Sequence, residues 1–285
     1  NMDVAIVQPN IDPNAKWDYK NREKTITYMD SLHSLAINLN PDLILFPETA
    51  FPAYLRLDRH VRDQIQSKVD SSGIPVLTGT VDRTKSPDGQ KRYFNSSMFL
   101  TPNHKYILYN KLHLVPFAEY IPLSSQFPSL NMLNFGQGNF TPGSEYTVFE
   151  WKDIKFSNLI CYESSIPGVV REFILQGADM ITIQTNDGWL GKSAGPYQHY
   201  DVARIRAIEN RVPVVRSANT GISGLILANG VSMNEQGLGE MAVFKVTVPL
   251  GATGSFYSRN GDVFAMICFV IFLLLGPVPC IRKRS

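Results

Sequence analysis

The chain has 285 residues, of which 44% are hydrophobic and 18% charged, and a formal net charge of +2. That length accommodates one large globular domain or two small ones. The charge is too slight to point to nucleic acid, so no nucleic-acid partner is expected.

The N-terminal stretch "NMDVAIVQPN" opens directly on a strand-like run, without a charged leader, an apolar core or a cleavage site, and no signal peptide is expected in it. Strand-like runs recur at 4–8, 43–46, 76–80, 96–100, 154–161, 180–184 and 214–218. Longer segments separate them. Ile26, Met29, Leu32, Leu35 and Ala36 fall on one face of a first helix, and Val202, Ile205, Ala207 and Ile208 support a later one. The alternation predicts an α/β fold. It also runs twice: strand, helix, a strand ending "LILFPE", helix and strands, then a strand ending "NLICYE", helix, strand, helix and strands. We expect one domain of two similar halves over residues 1–258.

Composition shifts abruptly at the end. Val263 to Ile281, about 19 residues, carries no charge and is bounded by Asp262 and by the basic cluster Arg282, Lys283 and Arg284. A buried core helix is the plain reading. The terminal position and basic flank favour instead a transmembrane helix over 259–285, close to the ~20 residues a span requires, with its last turn bent at Pro277 and Pro279. The positive-inside rule then keeps the basic tail cytoplasmic and puts the large domain on the other face, periplasmic in a bacterium. Something upstream must export such a domain, so the chain is expected to be the C-terminal part of a longer protein. Cys268 and Cys280 fall in the span, leaving Cys161 no partner for an intrachain disulfide in the large domain.

Three polar residues stand in conspicuous settings: Glu48 in "LILFPETAFP", Lys111 in "YNKLHLVPFAEYIP" and Cys161 in "FSNLICYESSIPG". Singly they read as a helix cap, a solvated loop lysine and a small buried hydrophobe. Together they supply nucleophilic acyl transfer. A thiol with a pKa near ~8.5 needs a base or a nearby positive charge to act as a thiolate. Glu48, its pKa raised by the apolar run beside it, is the candidate base, and Lys111 with the Tyr162 N–H the candidate oxyanion donors. The five histidines, His33, His60, His104, His113 and His199, show no zinc-ligand spacing, and there is no Gly-rich phosphate loop, so no metal or cofactor is expected.

With these motifs the sequence resembles the nitrilase, or carbon–nitrogen hydrolase, superfamily over nearly its whole length. It is most similar to the bacterial inner-membrane branch that N-acylates lipoproteins. The segments that carry this are "VAIVQPNIDPNAKWD", "PETAFP", "NKLHLVPFAEYIP", "ICYES", "NDGWLGKSAGPYQHYDVARIRAIENRVPVVRSANTGISG" and the hydrophobic end. The resemblance implies a nitrilase-like α-β-β-α sandwich with a catalytic Glu48–Lys111–Cys161 triad. Glu119 then corresponds to an accessory glutamate that orients the lysine and substrate, and Glu163 braces the site, a buried salt bridge being its plain alternative. Trp189 and Tyr162 shape the acyl pocket. Read from the residues, His113 could pair with Cys161 as a Cys–His dyad, but it sits only two residues from Lys111 and is assigned a structural, lid or pocket role instead. Gly188 and Leu190 depart from the alanine and phenylalanine common in the family, and the family's upstream membrane-helix bundle has no counterpart in the sequence.

The implied reaction takes an acyl chain from a glycerophospholipid in the bilayer onto Cys161. It then passes that chain to the α-amine of a diacylglyceryl-modified apolipoprotein. The alternatives are a superfamily amidase that hydrolyses a small amide, and a tethered binding module with a decayed site. A long apolar loop, Ile121 to Phe140, carries Phe127, Leu130, Met132, Leu133 and Phe135, and is expected to draw a lipid chain towards the site rather than fill the core.

Overall fold

The computed structural model describes residues 1–124, 126–133, 139–191, 193–251 and 254–275. In chain order the first half holds β1 (Met2–Gln8), α1 (Pro13–Lys16), α2 (Tyr19–Ile37), β2 (Leu43–Leu45), α3 (Arg59–Ser72), β3 (Val76–Lys85), β4 (Lys91–Thr101) and β5 (Lys105–Asn110). The second half holds β6 (Val148–Trp151), β7 (Ile154–Ile160), α4 (Pro167–Leu175), β8 (Met180–Thr185), α5 (Gly195–Asn210), β9 (Val214–Ala218), β10 (Ser223–Ile226) and β11 (Ser232–Gln236). After them come β12 (Ala242–Val248), α6 (Phe256–Asn260) and α7 (Val263–Leu275).

The strands form two six-stranded sheets, ordered β12-β1-β2-β3-β4-β5 and β11-β10-β9-β8-β7-β6. In the first, β1, β2 and β3 are parallel, β4 and β5 continue antiparallel, and β12 pairs antiparallel on the outer side of β1. The second repeats this plan, with β7, β8 and β9 parallel, β10 and β11 antiparallel beyond them, and β6 antiparallel on the outer side of β7. The doubling expected from the sequence is thus a doubling of topology.

Period-two alternation explains the layers. In β1, Val4 and Ile6 join the cluster that includes Phe99, Phe149, Phe156 and Leu159, between the sheets, while Ala5 and Val7 join the cluster under α2 and α3. Leu43 and Leu45 divide from Ile44 and Phe46 in the same way. Buried on both faces, these strands read as continuous apolar runs. The second sheet is covered by α4 and α5, giving an α-β-β-α sandwich.

Two helix faces differ from the sequence expectation. Leu35 is exposed, whereas Ile26, Met29, Leu32 and Ala36 are buried. On α5 the buried residues are Pro196, Tyr200, Ala203, Arg206, Ala207 and Asn210, and Ile205 and Ile208 lie exposed beside them.

The expected boundary at residue 258 falls inside α6, which packs on α4 and α5. Arg171 donates from Nη2 to the Arg259 carbonyl at 3.0 Å and ties the two elements. The expected transmembrane helix is represented by α7, 13 apolar residues that are all exposed. Its length of about 20 Å falls short of the ~30 Å hydrocarbon core. Among the described residues no helix is long and apolar enough to cross a membrane. Pro277, Pro279, Cys280, Ile281 and the basic cluster at 282–284 lie outside the described residues.

Candidate active site

Each candidate catalytic residue lies just past a strand end. Glu48 follows β2 through Pro47, Lys111 follows β5, and Cys161 follows β7. The turn at Glu48 is unusually tight. Thr49 has φ 44°, an unfavourable region for a β-branched residue, and a Cβ on Gly79 would fall 2.4 Å from the Thr49 nitrogen and 2.6 Å from the Glu48 Cα. Glycine in β3 is what lets that strand pass against the Glu48 turn, clamped by Gly79 N–H to Pro47 O at 3.1 Å and Ala50 N–H to Gly79 O at 3.0 Å. Cys161 opens a 3-10 turn, Cys161–Ser165, at φ 52°. A cysteine in the left-handed region is strained, and its surroundings hold it there.

Lys111 is fully buried and donates from Nζ to both carboxylate oxygens of Glu119, at 2.9 and 2.7 Å. Asn95, on β4, joins the carboxylates: its Nδ2 donates to Glu48 Oε1 at 2.7 Å and to Glu119 Oε1 at 2.9 Å, and its backbone carbonyl accepts from Lys111 N–H at 2.9 Å. Glu119 Oε2 also accepts from Val115 N–H at 2.8 Å.

Electrostatics follow from this packing. Burial pushes the Glu48 carboxyl above the usual carboxylate range, with the Glu119 charge adding to it and Lys111 opposing. Burial alone would lower the pKa of Lys111, but Glu119 and then Glu48 outweigh it and hold the ammonium firmly charged. The Cys161 thiol is pushed up to about 12, first by burial and then by the Glu48 charge, against the pull of Lys111. The resting thiol is therefore neutral. The charge that disfavours the thiolate disappears when Glu48 takes its proton, so thiolate formation is coupled to that transfer.

Glu163 forms no salt bridge among the described residues. Its Oε1 accepts from Tyr109 Oη at 2.7 Å, Leu112 N–H at 2.7 Å and His113 N–H at 3.2 Å, and its Oε2 accepts from Ile160 N–H at 2.8 Å. One buried carboxylate thus staples the segment after Lys111 to the strand end that carries Cys161. His113 takes part through its backbone only. Its side chain is exposed and is not among the residues that line the cavity beside the site.

That cavity, of about 560 Å³, is mostly apolar and is lined by Thr49, next to Glu48, and by Trp17, Tyr54, Tyr93, Phe140 and Trp189 among others. Trp189, expected to shape an acyl pocket, is one of its lining residues. Tyr162 is partly exposed and is not among the lining residues. A methyl on Gly188 would sit 3.0 Å from Pro13 Cγ and 3.1 Å from Thr220 Oγ1, so the glycine allows the Asp187–Leu190 turn to close on α1.

Sequence reasoning missed four participants besides Asn95. Lys16, at the end of α1, is buried and donates from Nζ to Thr49 O at 2.5 Å. Burial lowers its pKa to about 8, with Glu48 opposing. Asp187, His199 and Arg216 form a buried chain under the nucleophile. Arg216 Nη2 donates to Asp187 Oδ2 at 2.7 Å, Asp187 Oδ1 lies 2.8 Å from His199 Nδ1, and His199 Nε2 lies 3.1 Å from the Cys161 carbonyl oxygen. Ser164 Oγ donates to that same carbonyl at 2.9 Å. Burial alone would raise the Asp187 carboxyl, but Arg216 first, then His199, hold it well below the usual range. An arginine inside the apolar run "VPVVRSA" was the available signal, since a buried charge requires a partner. Among the described residues no group of His, Cys, Asp and Glu side chains is arranged to hold a metal ion.

The Carbon-nitrogen hydrolase family matches residues 3–255. An apolipoprotein N-acyltransferase of Chlorobaculum tepidum is 35% identical over 305 residues, covering 99% of this chain and 57% of that protein. One of Geobacter metallireducens is 37% identical over 268 residues, covering 93% of this chain and 51% of that protein. The chain spans about half the length of the curated relatives it matches. Among solved structures, the amidase from Nesterenkonia sp. AN1 superposes with a TM-score of 0.67 at 17% identity, covering 94% of this chain and 97% of that one, a likeness of fold alone.

Proposed function

The chain belongs to the carbon–nitrogen hydrolase family, and from that premise we propose that it carries the acyl-transfer centre of an apolipoprotein N-acyltransferase. The observation that carries the choice is 35–37% identity, over 93–99% of this chain, to proteins of that name. The alternative, hydrolysis of a small amide, would use the same residues with water as second nucleophile. Its support is the likeness to an amidase at 17% identity, which speaks to fold only.

In this reading Glu48 takes the proton of the Cys161 thiol, and the sulfur attacks the carbonyl of a glycerophospholipid acyl ester. Lys111 and the Tyr162 amide hold the oxyanion. As the carbon–oxygen bond breaks, Glu48 returns the proton to the departing lysophospholipid and an S-acyl thioester remains. The α-amine of a diacylglyceryl-modified cysteine at an apolipoprotein N-terminus then attacks the thioester. Glu48 accepts the amine proton and Cys161 is regenerated with the amide product. Glu119 keeps Lys111 charged and aimed, and Glu163 fixes the spacing between the lysine segment and the nucleophile.

The site lies in domain 1–258, and the segment from 259 onward anchors it to the bacterial inner membrane. Catalysis faces the periplasm, the basic end lies in the cytoplasm, and an upstream bundle of membrane helices delivers both lipid substrates. Intact-mass spectrometry after incubation with phospholipid tests the reaction. An acyl adduct on Cys161, discharged by a diacylated lipopeptide, is expected. Adducts from small amides alone would overturn the proposal in favour of the amidase.

A further inference from the structure

A second cavity, of about 580 Å³, shares Trp17 and Tyr54 with the apolar one beside Glu48 and is lined by Arg22, Arg59 and Arg83 with Asp58 as its acid. Three guanidinium groups against one carboxylate leave the depression cationic. They are not equivalent. Arg22 is committed, with Nη2 on Asp58 at 2.6 Å, Nη1 on Glu23 at 2.6 Å and Nε on the Pro52 carbonyl at 3.2 Å. Arg59 and Arg83 are exposed and have no ion-pair partner among the described residues. The Arg83 guanidinium lies over the Tyr54 ring, 5.8 Å from its centroid, and Arg56, paired with Asp82, holds the Arg83 carbonyl at 2.8 Å. Two forks are thus left free on a supported wall.

The rim has an unusual composition for a cationic groove. Trp17 and Leu57 line it exposed, with Tyr54 half-buried beside them. Arginine beside Trp, Tyr and Leu suits the boundary where phosphates meet acyl chains. An arginine fork also matches two oxygens of a phosphodiester.

We propose that this groove binds the phosphoryl headgroup of the glycerophospholipid acyl donor, with Arg59 and Arg83 as its ligands and the adjoining apolar cavity taking the chain to be transferred. The proposal rests on the acyl-donor reading above. The two cavities meet at Trp17 and Tyr54, and in such a lipid the phosphate and the scissile ester are joined through a single glycerol. Binding the phosphate in one cavity therefore presents the ester at the mouth of the other, beside Glu48. Headgroup binding then acts as an orientation device for the first half-reaction.

Calorimetric titration of the intact protein with dihexanoylphosphatidylglycerol tests this, with dihexanoylglycerol and inorganic phosphate as the other arms. Arg59→Gln/Arg83→Gln should weaken phosphatidylglycerol binding by about tenfold or more while changing dihexanoylglycerol binding less than about twofold. An equal loss for both lipids, or no loss, overturns the proposal. So does inorganic phosphate binding as tightly as the phospholipid, which would make the groove a free-phosphate site. Arg59→Lys/Arg83→Lys keeps the charge and loses the forks. It should give a smaller loss, and it replaces the glutamine variant should that one unfold. The titrations are made in the Cys161→Ala background, which forms no thioester, so absence of an acyl adduct on Cys161 of the wild type would sink the catalytic reading while leaving this measurement to decide the groove.

Discussion

The imidazole Nε2 of His199 lies 3.1 Å from the carbonyl oxygen of Cys161. A carbonyl only accepts, so this nitrogen carries a proton and donates, and the nucleophile's left-handed turn is held through its backbone by the His199 side chain. Asp187 and Arg216 fix the other edge of the ring.

His199→Ala should therefore slow Cys161 acylation by about tenfold or more, because a misplacement well under 1 Å is costly at a reacting centre. Overall stability should fall by only about 1–2 kcal/mol, since Asp187 keeps Arg216 and Ser164 keeps the carbonyl. Iodoacetamide labelling rates and a denaturant melt separate the two effects. A loss of stability with unchanged labelling would make His199 structural only.

Lys111→Met removes a buried cation from between Glu119 and Glu48, leaving carboxylates uncompensated. Destabilisation of about 3–5 kcal/mol is expected, larger than for a residue acting only on the oxyanion. Adding Glu119→Gln should recover much of that stability without restoring acylation, which falls by about 10²–10³. Denaturant midpoints and single-turnover acylation of the two variants give the comparison. Wild-type acylation in the folded double variant would remove Lys111 from the mechanism.

Asn95→Leu deletes a donor that favours the charged form of Glu48. The carboxyl pKa, already raised by burial, should rise further. The base is active when deprotonated, so the acid limb of the pH–rate profile for Cys161 acylation moves to higher pH. A limb that stays in place would show that the profile reports another group.

Arg216→Met breaks a fully buried pair with Asp187 and should cost about 3–5 kcal/mol at neutral pH. In the wild type, Asp187 titrates below its unfolded value of ~3.9, so its contribution is present above that pH and lost as the pH falls towards the folded pKa. Without Arg216 the carboxyl protonates readily, and the stability gap between variant and wild type should narrow below about pH 4. Urea melts between pH 3 and pH 7, a range on the order of the carboxylate titration, would show a constant gap if the pair were unimportant.

Met132 is 84% exposed and Phe127 56% exposed, while Leu130 is partly buried and Phe135 lies outside the described residues. Phe127→Ser/Met132→Ser should leave stability within about 0.5 kcal/mol, as surface changes do. Flotation with phospholipid vesicles should fall if this apolar surface meets lipid. Unchanged flotation would separate the loop from the bilayer.

Much of this protein was legible in its sequence because some signals are local. Period-two and continuous apolar runs placed β1–β4 and β7–β9, and a reactive residue just past an apolar run marked Glu48 and Cys161. The doubled order of elements gave the paired sheets. The strands β5, β6, β11 and β12 escaped, since their partly exposed residues alternate weakly, and β10 escaped because it is only four residues long, though all four are buried. Tertiary structure alone decided which polar residues serve the site. Asn95 bridges Glu48 and Glu119 across 47 and 24 positions, and Asp187, His199 and Arg216 gather beneath Cys161 from three elements. It also gave Glu163, expected to brace the site with an ion pair as the plain alternative, three backbone N–H groups and a tyrosine hydroxyl as donors, and left the His113 side chain off the cavity lining. The reason is physical. Apolar periodicity is written along the chain, whereas the satisfaction of a buried polar group depends on which donors the packed layers bring within about 3 Å, and only folding fixes that.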